Sequence, residues 1–430
     1  MKKIMMVGSA LMLLSTSAFA SKARLMALGE DKDGSYFVSD YRNVFINPAE
    51  LNSMKNMAVL EWGDKGSTVG GHLGGASLDF DNATKAEGGV LYGLSNGYKI
   101  GALLGDESDV ASLTRVLASN GGADTEGLQS ADNVLDVFIA GKTNVNWGAN
   151  LLYSQSKDET TGTTKHNSNF YAARLGASQD AWNAHLLLAL GAKADRPNAS
   201  LAPTYKGKFG ARLGGGYDLS SSNKIFAMYE NYKWDQANTT TATRVGIFTK
   251  TFLGFGHTQK ITDSSTLFVK VQGEMTKIEL KSVGTLAAAK IDRIAAPINI
   301  GFEHSATEWL VIRGSVVQNL YGTVKDEGLA ANFGTPTSAS DFTNMGKSIR
   351  LLAAGRYGSS TSGNGGKKTI ANSTTVNAGA TLKFSSLEID GLIGATPSSR
   401  TGTLDSTANT NKGTLALDNL ETRVGLTYNF

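Results

Sequence analysis

Cysteine is absent from the 430 residues. That excludes disulfides, thiolate metal centres, a cysteine nucleophile and lipidation at an N-terminal cysteine. Proline is scarce, at 6 residues, while glycine reaches 50 without a triplet repeat, so a collagen-like chain is excluded. Charge of one sign is missing too. The 41 Lys and Arg oppose 38 Asp and Glu, which is no balance for nucleic-acid binding. After residue 20 no apolar run reaches the roughly 18 residues that a membrane-crossing helix needs. Histidine occurs only 5 times, never as H-x-x-x-H, and there is no G-x-S-x-G elbow. No enzyme activity, metal or cofactor is therefore expected.

The first twenty residues have a positive start at Lys2 and Lys3, an apolar stretch from Ile4 to Leu14, and Ala18-Phe19-Ala20 as a small-x-small ending. This is the pattern of a cleaved secretory signal, with a mature chain beginning at Ser21. The expected division is residues 1–20 as signal peptide, 21–55 as an N-terminal segment that is a candidate lumen plug, and 56–430 as the main domain.

Beyond that point the dominant feature is alternation. In "FGARLGGGYDL" Phe209, Ala211, Leu213, Tyr217 and Leu219 alternate with Gly210, Arg212, Gly214 and Asp218. "TVNAGATLKF", "LFVKVQGE" and the closing "ETRVGLTYNF" repeat the pattern. A period of two sustained over about ten residues is a strand signal, because successive strand side chains point to opposite faces. Ten residues tilted near 45° cover roughly the 25 Å apolar band of an outer membrane. Tight connections, such as Thr143-Asn144 and Ser385-Ser386, alternate with long polar ones, such as 106–133 and 322–373. The expected fold is all-β, a transmembrane antiparallel barrel of about 16 strands (roughly 14–18), with short periplasmic turns and long outer loops. The first strand is drawn at 68–80, with 56–63 and 347–357 as further candidates and a short helix at 107–120.

Lys or Arg facing the lipid midplane costs about 2–4 kcal/mol, so charges on strands belong inside. On the alternation as read, Lys142, Lys193, Arg212, Lys233, Lys270, Arg313, Lys383 and Arg423 face the lumen, with Asp218 and Glu274. Asp136, Glu388 and Asp390 join them. One misfit is Glu230, which falls on the lipid side of 223–235. Barrels of this width hold an aqueous channel, and rings of fixed charge filter solutes. The competing reading is that these charges pair across the wall and merely fill it.

The last strand carries Val424, Leu426, Tyr428 and the terminal Phe430 on one face. It resembles the C-terminal signal strand that the barrel-assembly machinery reads in Gram-negative outer-membrane β-barrels. "SKARLMALG" followed by "YRNVFINPAEL" is similar to the major porin-like outer-membrane proteins of predatory deltaproteobacteria. "NPAEL", Asn47 to Leu51, also resembles the N-P-A-G-L segment of FadL-like hydrocarbon transporters, with Glu50 in place of the glycine. These resemblances imply an outer-membrane location, contact with lipid and lipopolysaccharide, and assembly by that machinery. They imply either a porin passing small hydrophilic solutes or a transporter of hydrophobic compounds. A surface-binding, non-conducting barrel stays open as a third reading, as does a homo-oligomer. No nucleic-acid partner is expected.

Overall fold

The computed structural model describes residues 21–65, 86–105, 133–158, 165–195, 197, 202, 204–238, 241–284, 288–327, 366–369, 374–395 and 420–430. Eighteen strands form one antiparallel sheet that closes on itself. They are β1 (Met57–Lys65), β2 (Ala86–Gly93), β3 (Lys99–Leu104), β4 (Asn133–Lys142), β5 (Asn146–Asp158), β6 (His166–Gln179), β7 (Trp182–Asp195), β8 (Thr204–Gly207), β9 (Gly210–Asp218) and β10 (Asn223–Asn238). There follow β11 (Thr241–Thr262), β12 (Ser265–Leu280), β13 (Ala289–Ser305), β14 (Leu310–Glu327), β15 (Gly366–Thr369), β16 (Thr375–Phe384), β17 (Leu387–Ala395) and β18 (Leu420–Asn429).

Each strand pairs with its sequence neighbour, and β1 closes the ring against β18 from Met57↔Asn429 to Lys65↔Glu421. β8 and β9 lie end to end between β7 and β10, and β15 and β16 both pair with β14. The wall therefore has 16 staves, as expected. The first stave is 57–65 and not 68–80, which lies outside the described residues, as do 107–120 and 347–357. β10 and β11 continue nearly to each other, so the polar stretch 236–242 is mostly strand.

Two irregularities mark the wall. Leu190 is an extra residue between Gly191↔Tyr171 and Ala189↔Ala172, a bulge that shifts the alternation of β7. At Pro297, which has no N–H to donate, the β12–β13 pairing skips from Val271↔Ile298 to Glu274↔Ala295. The β13–β14 register slips beside it.

The outer face is apolar. Leu151 and Leu253 are each 66 % exposed, and Leu213, Leu320, Tyr229 and Tyr428 share that face. Such continuous apolar surface is foreign to a protein in water. The inner face is covered by the chain itself. Residues 21–55 fold inside the ring as helix α1 (Lys22–Ala27) and two 3-10 turns, Tyr41–Phe45 and Pro48–Ser53. Tyr41, Val44, Phe45, Leu51 and Met54 pack on Met57, Leu91, Leu103 and Phe138 of the wall. Tyr41, Val44 and Leu51 are fully buried, so this small core, and not a second sheet, covers the inside of β1–β4.

Candidate functional site

The second turn is positioned by sequence. Asn47 caps it by accepting a hydrogen bond from the Ala49 N–H at 3.0 Å, and Pro48 follows at its first position. The Asn47 amide also donates to the Ala177 carbonyl on β6 at 3.2 Å. Gly148 and Gly176 make this approach feasible. A Cβ at Gly148 would strike the Pro48 carbonyl, and one at Gly176 the Asn47 side chain. Burial pushes the Glu50 carboxyl up from its ordinary value.

The remainder of the segment is held by charge. Glu61 and Glu87 lie directly opposite on β1 and β2, both buried on the lumen face. Lys22 Nζ lies 2.5 Å from Glu87, and the Lys22 N–H donates to Glu61 at 2.8 Å. Arg42, with no exposed side-chain surface, pairs with Glu87 and lies 3.8 Å from Glu61. Tyr41 donates to Glu61 as well. Arg24 bridges Asp40 at 3.0 Å and Glu303 at 3.1 Å. Ser21 donates to Asp390 at 3.1 Å. Burial alone would push Asp33 up, but Lys32, Lys22 and Arg42 overcome it and hold its carboxyl well below the usual range.

Between this segment and the wall the lumen holds a cavity of about 370 Å³. Its wall carries a row of inward side chains along the inter-strand pairing. Arg174 pairs with Leu187, Leu187 with Arg212, Arg212 with Glu230, Glu230 with Lys250, Lys250 with Thr276, and Thr276 with Arg293. The row crosses β6, β7, β9, β10, β11, β12 and β13, placing a cation on every second stave. Neighbouring strands lie about 4.8 Å apart, so successive cations stand about 10 Å apart. Barrel strands tilt, so the row climbs the wall like a ramp. Arg174 is matched by Asp136 at 2.6 Å, Arg212 by Glu230 and Arg293 by Glu274. Among the described residues Lys250 has no ion-pair or hydrogen-bond partner. Below the row Phe226, Met228 and Phe252 form an apolar cluster covered by Tyr36 and Phe37 of the N-terminal segment.

Of the residues drawn from the sequence, Arg212, Lys270, Arg313 and Glu274 are inside and paired, Lys270 with Glu30 at 2.7 Å and Arg313 with Glu303 at 2.5 Å. Arg423 is inside and donates to the Gly63 carbonyl at 3.2 Å. Asp218, 3.4 Å from Lys224, and Lys383, opposite Glu388, lie towards the rim with the short turns. Lys142 lies at the same rim, exposed, at the end of β4.

Two placements need correction. Lys193 faces outward, 2.5 Å from Asp195, because the bulge at Leu190 reverses the alternation before it. Lys233 also faces outward, and Glu230 faces in. The inward face of β10, with Phe226, Met228, Tyr232 and Trp234, is the more apolar one, so alternation alone gave the wrong parity. The lumen accepts Phe226 and Met228 because Tyr36 and Phe37 cover them. Trp234 is likewise buried inside, stacked on Tyr205 and donating to Gln236 at 2.9 Å.

The sequence reading missed Lys22, Arg24, Arg42, Glu61 and Glu87 as anchors, and Arg174, Lys250 and Arg293 on the ramp. The available signal was Lys22, Arg24 and Arg42 set among apolar residues of the segment 21–55, and acidic residues on two adjacent strands.

No family model and no curated protein matches this chain. Among solved structures, the Ralstonia pickettii toluene transporter TbuX aligns at 11 % identity and TM-score 0.38, over 96 % of this chain and 98 % of that one. A Pseudomonas aeruginosa FadL homologue aligns at 11 % and 0.37, over 96 % and 98 %. An anion-selective porin from Comamonas acidovorans aligns at 15 % and 0.32, over 65 % and 90 %. Likeness at this level adds nothing to what the closed sheet already shows.

Proposed function

We propose that the protein is an outer-membrane channel whose lumen is closed in this state by residues 21–55, and that it passes small charged or amphipathic solutes once that segment yields. The apolar outer face supports a lipid setting, as does the pairing of the strands into a ring that has no free edge. In this reading removal of residues 1–20 by a signal peptidase frees Ser21 to enter the lumen. The outer face of β18, with Tyr428 and Phe430 exposed, meets lipid and serves as the assembly signal. The observation that carries the proposal is the buried, ion-paired docking of the N-terminal segment onto the lumen wall.

This reading departs from a permanently open porin. Its test is planar-bilayer recording of the mature protein beside a variant lacking residues 22–54. The mature protein should show rare, short openings and the deletion a steady conductance. Equal, steady conductance from both would refute the closure. A second reading, transport of hydrophobic compounds, is favoured by the cluster of Phe226, Met228 and Phe252. The charges that share that cavity count against a wholly apolar cargo.

A further inference from the structure

Lys250 stands out on the ramp. Its neighbours Arg174, Arg212 and Arg293 each have a carboxylate within ion-pair distance, whereas Lys250 has none at that distance among the described residues, because Glu230 opposite it is taken by Arg212. It is half-buried and lines the cavity. An ammonium held against a low-dielectric wall without a fixed counter-charge favours a mobile anion.

The apolar cluster lies on the same two strands. Phe252 is two residues along β11 from Lys250, on the same face, so the two are about 7 Å apart along the strand. Met228 lies opposite Phe252, and Phe226 is two residues further down β10. Tyr36 from the N-terminal segment completes the surface, 5.9 Å from Phe226 in stacked geometry and 5.1 Å from Phe252 edge-on. The cavity of about 370 Å³ falls within the roughly 300–1,000 Å³ of small-molecule sites.

We infer that Lys250 and this aromatic cluster form one binding site for a small amphipathic monoanion, an aryl or short-chain alkyl carboxylate. The carboxylate sits at Lys250 and the apolar end on Phe226, Met228 and Phe252. The inference rests on the lumen reading above and narrows its solute class. It adds that Tyr36 makes the closed state the binding state.

Benzoate, benzyl alcohol and acetate are suitable probes, titrated calorimetrically into the detergent-solubilised mature protein. Benzoate should bind, and benzyl alcohol and acetate should each bind at least tenfold more weakly. Lys250→Gln should weaken benzoate about tenfold or more, the loss expected of one charge-assisted contact, and Lys250→Arg should restore most of it. Lys233→Gln, on the outer face, should change nothing. Phe252→Leu should weaken benzoate but not acetate. Unchanged benzoate affinity in Lys250→Gln would overturn the inference. So would equal affinity for benzoate and benzyl alcohol, or for benzoate and acetate. Binding is read at equilibrium without conduction, so a Lys250-dependent benzoate site would stand even if the bilayer test refuted closure.

Discussion

The sharpest test of the proposed closure by residues 21–55 is Glu87→Gln. Glu87 is 7 % exposed and faces Glu61 directly across β1 and β2. Like charges opposite each other on a sheet repel, and Lys22 and Arg42 neutralise the pair only while residues 21–55 are docked. The variant keeps the shape of Glu87 and removes its charge. Lys22 then loses its carboxylate partner at 2.5 Å, while Arg42 keeps Asp33 at 3.6 Å and Glu61 at 3.8 Å. Stranding one member of a buried pair costs about 3–5 kcal/mol. Because Arg42 is still served and the repulsion with Glu61 is relieved, the lower end applies, about 3 kcal/mol, or about a hundredfold in the docked-to-undocked ratio. Bilayer recordings should show openings correspondingly more frequent, and trypsin should cut after Lys22, Arg24 and Arg42 faster than in the parent. Adding Lys22→Met removes the stranded charge and should restore part of the closure. If Glu87→Gln neither opens more often nor is cut faster, the ion pairs do not hold the segment and the reasoning fails.

Gly148→Ala should displace the Pro48 turn, since its Cβ meets backbone and not a mobile side chain; a cost of about 1–3 kcal/mol in docking should appear as added conductance in an otherwise intact barrel. Leu253→Arg, at a position 66 % exposed on the outer face, should destabilise the barrel by about 2–4 kcal/mol in lipid, read from its urea midpoint. Acid acts on the N-terminal segment with both signs. The Asp33 carboxyl is held below its ordinary value, 3.8, so its contribution is complete above that pH and is lost as pH falls below it, whereas burial pushes Asp40 up to about 7 and Glu50 upward, so both favour docking as pH falls; the Asp33 share should appear as a gap in protease sensitivity between the parent and Asp33→Asn that is wide at pH 6 and narrower at pH 3.

The architecture was legible because a barrel wall repeats one rule, apolar out and polar in, and the alternation in "TVNAGATLKF" or "ETRVGLTYNF" states that rule without help from distant residues. Reading failed where something non-local set the parity. Leu190 adds one residue to β7, and Lys193 turns outward as a result. On β10 the apolar side of Phe226 and Met228 looked like a lipid face because the sequence does not announce that Tyr36 and Phe37 arrive inside to cover it. The ramp was invisible for a related reason. Arg174, Arg212, Lys250 and Arg293 are separated by dozens of residues, and only the register across seven staves brings them into one row.

That register has an energetic corollary. The lumen facing β1 and β2 carries an acidic pair that needs cations, and the chain supplies them on a segment that also brings Tyr41, Val44 and Leu51 as apolar cover. On the opposite side the ramp carries its own carboxylates, and the segment contributes Tyr36 and Phe37 there, with Glu30 as the partner of Lys270. The same thirty-five residues are thus basic where the wall is acidic and aromatic where the wall is apolar. A detachable stopper held by grease alone would slide. The proposed closure, held by buried ion pairs on one side and rings on the other, would be fixed in register and weakened when a single carboxylate is neutralised.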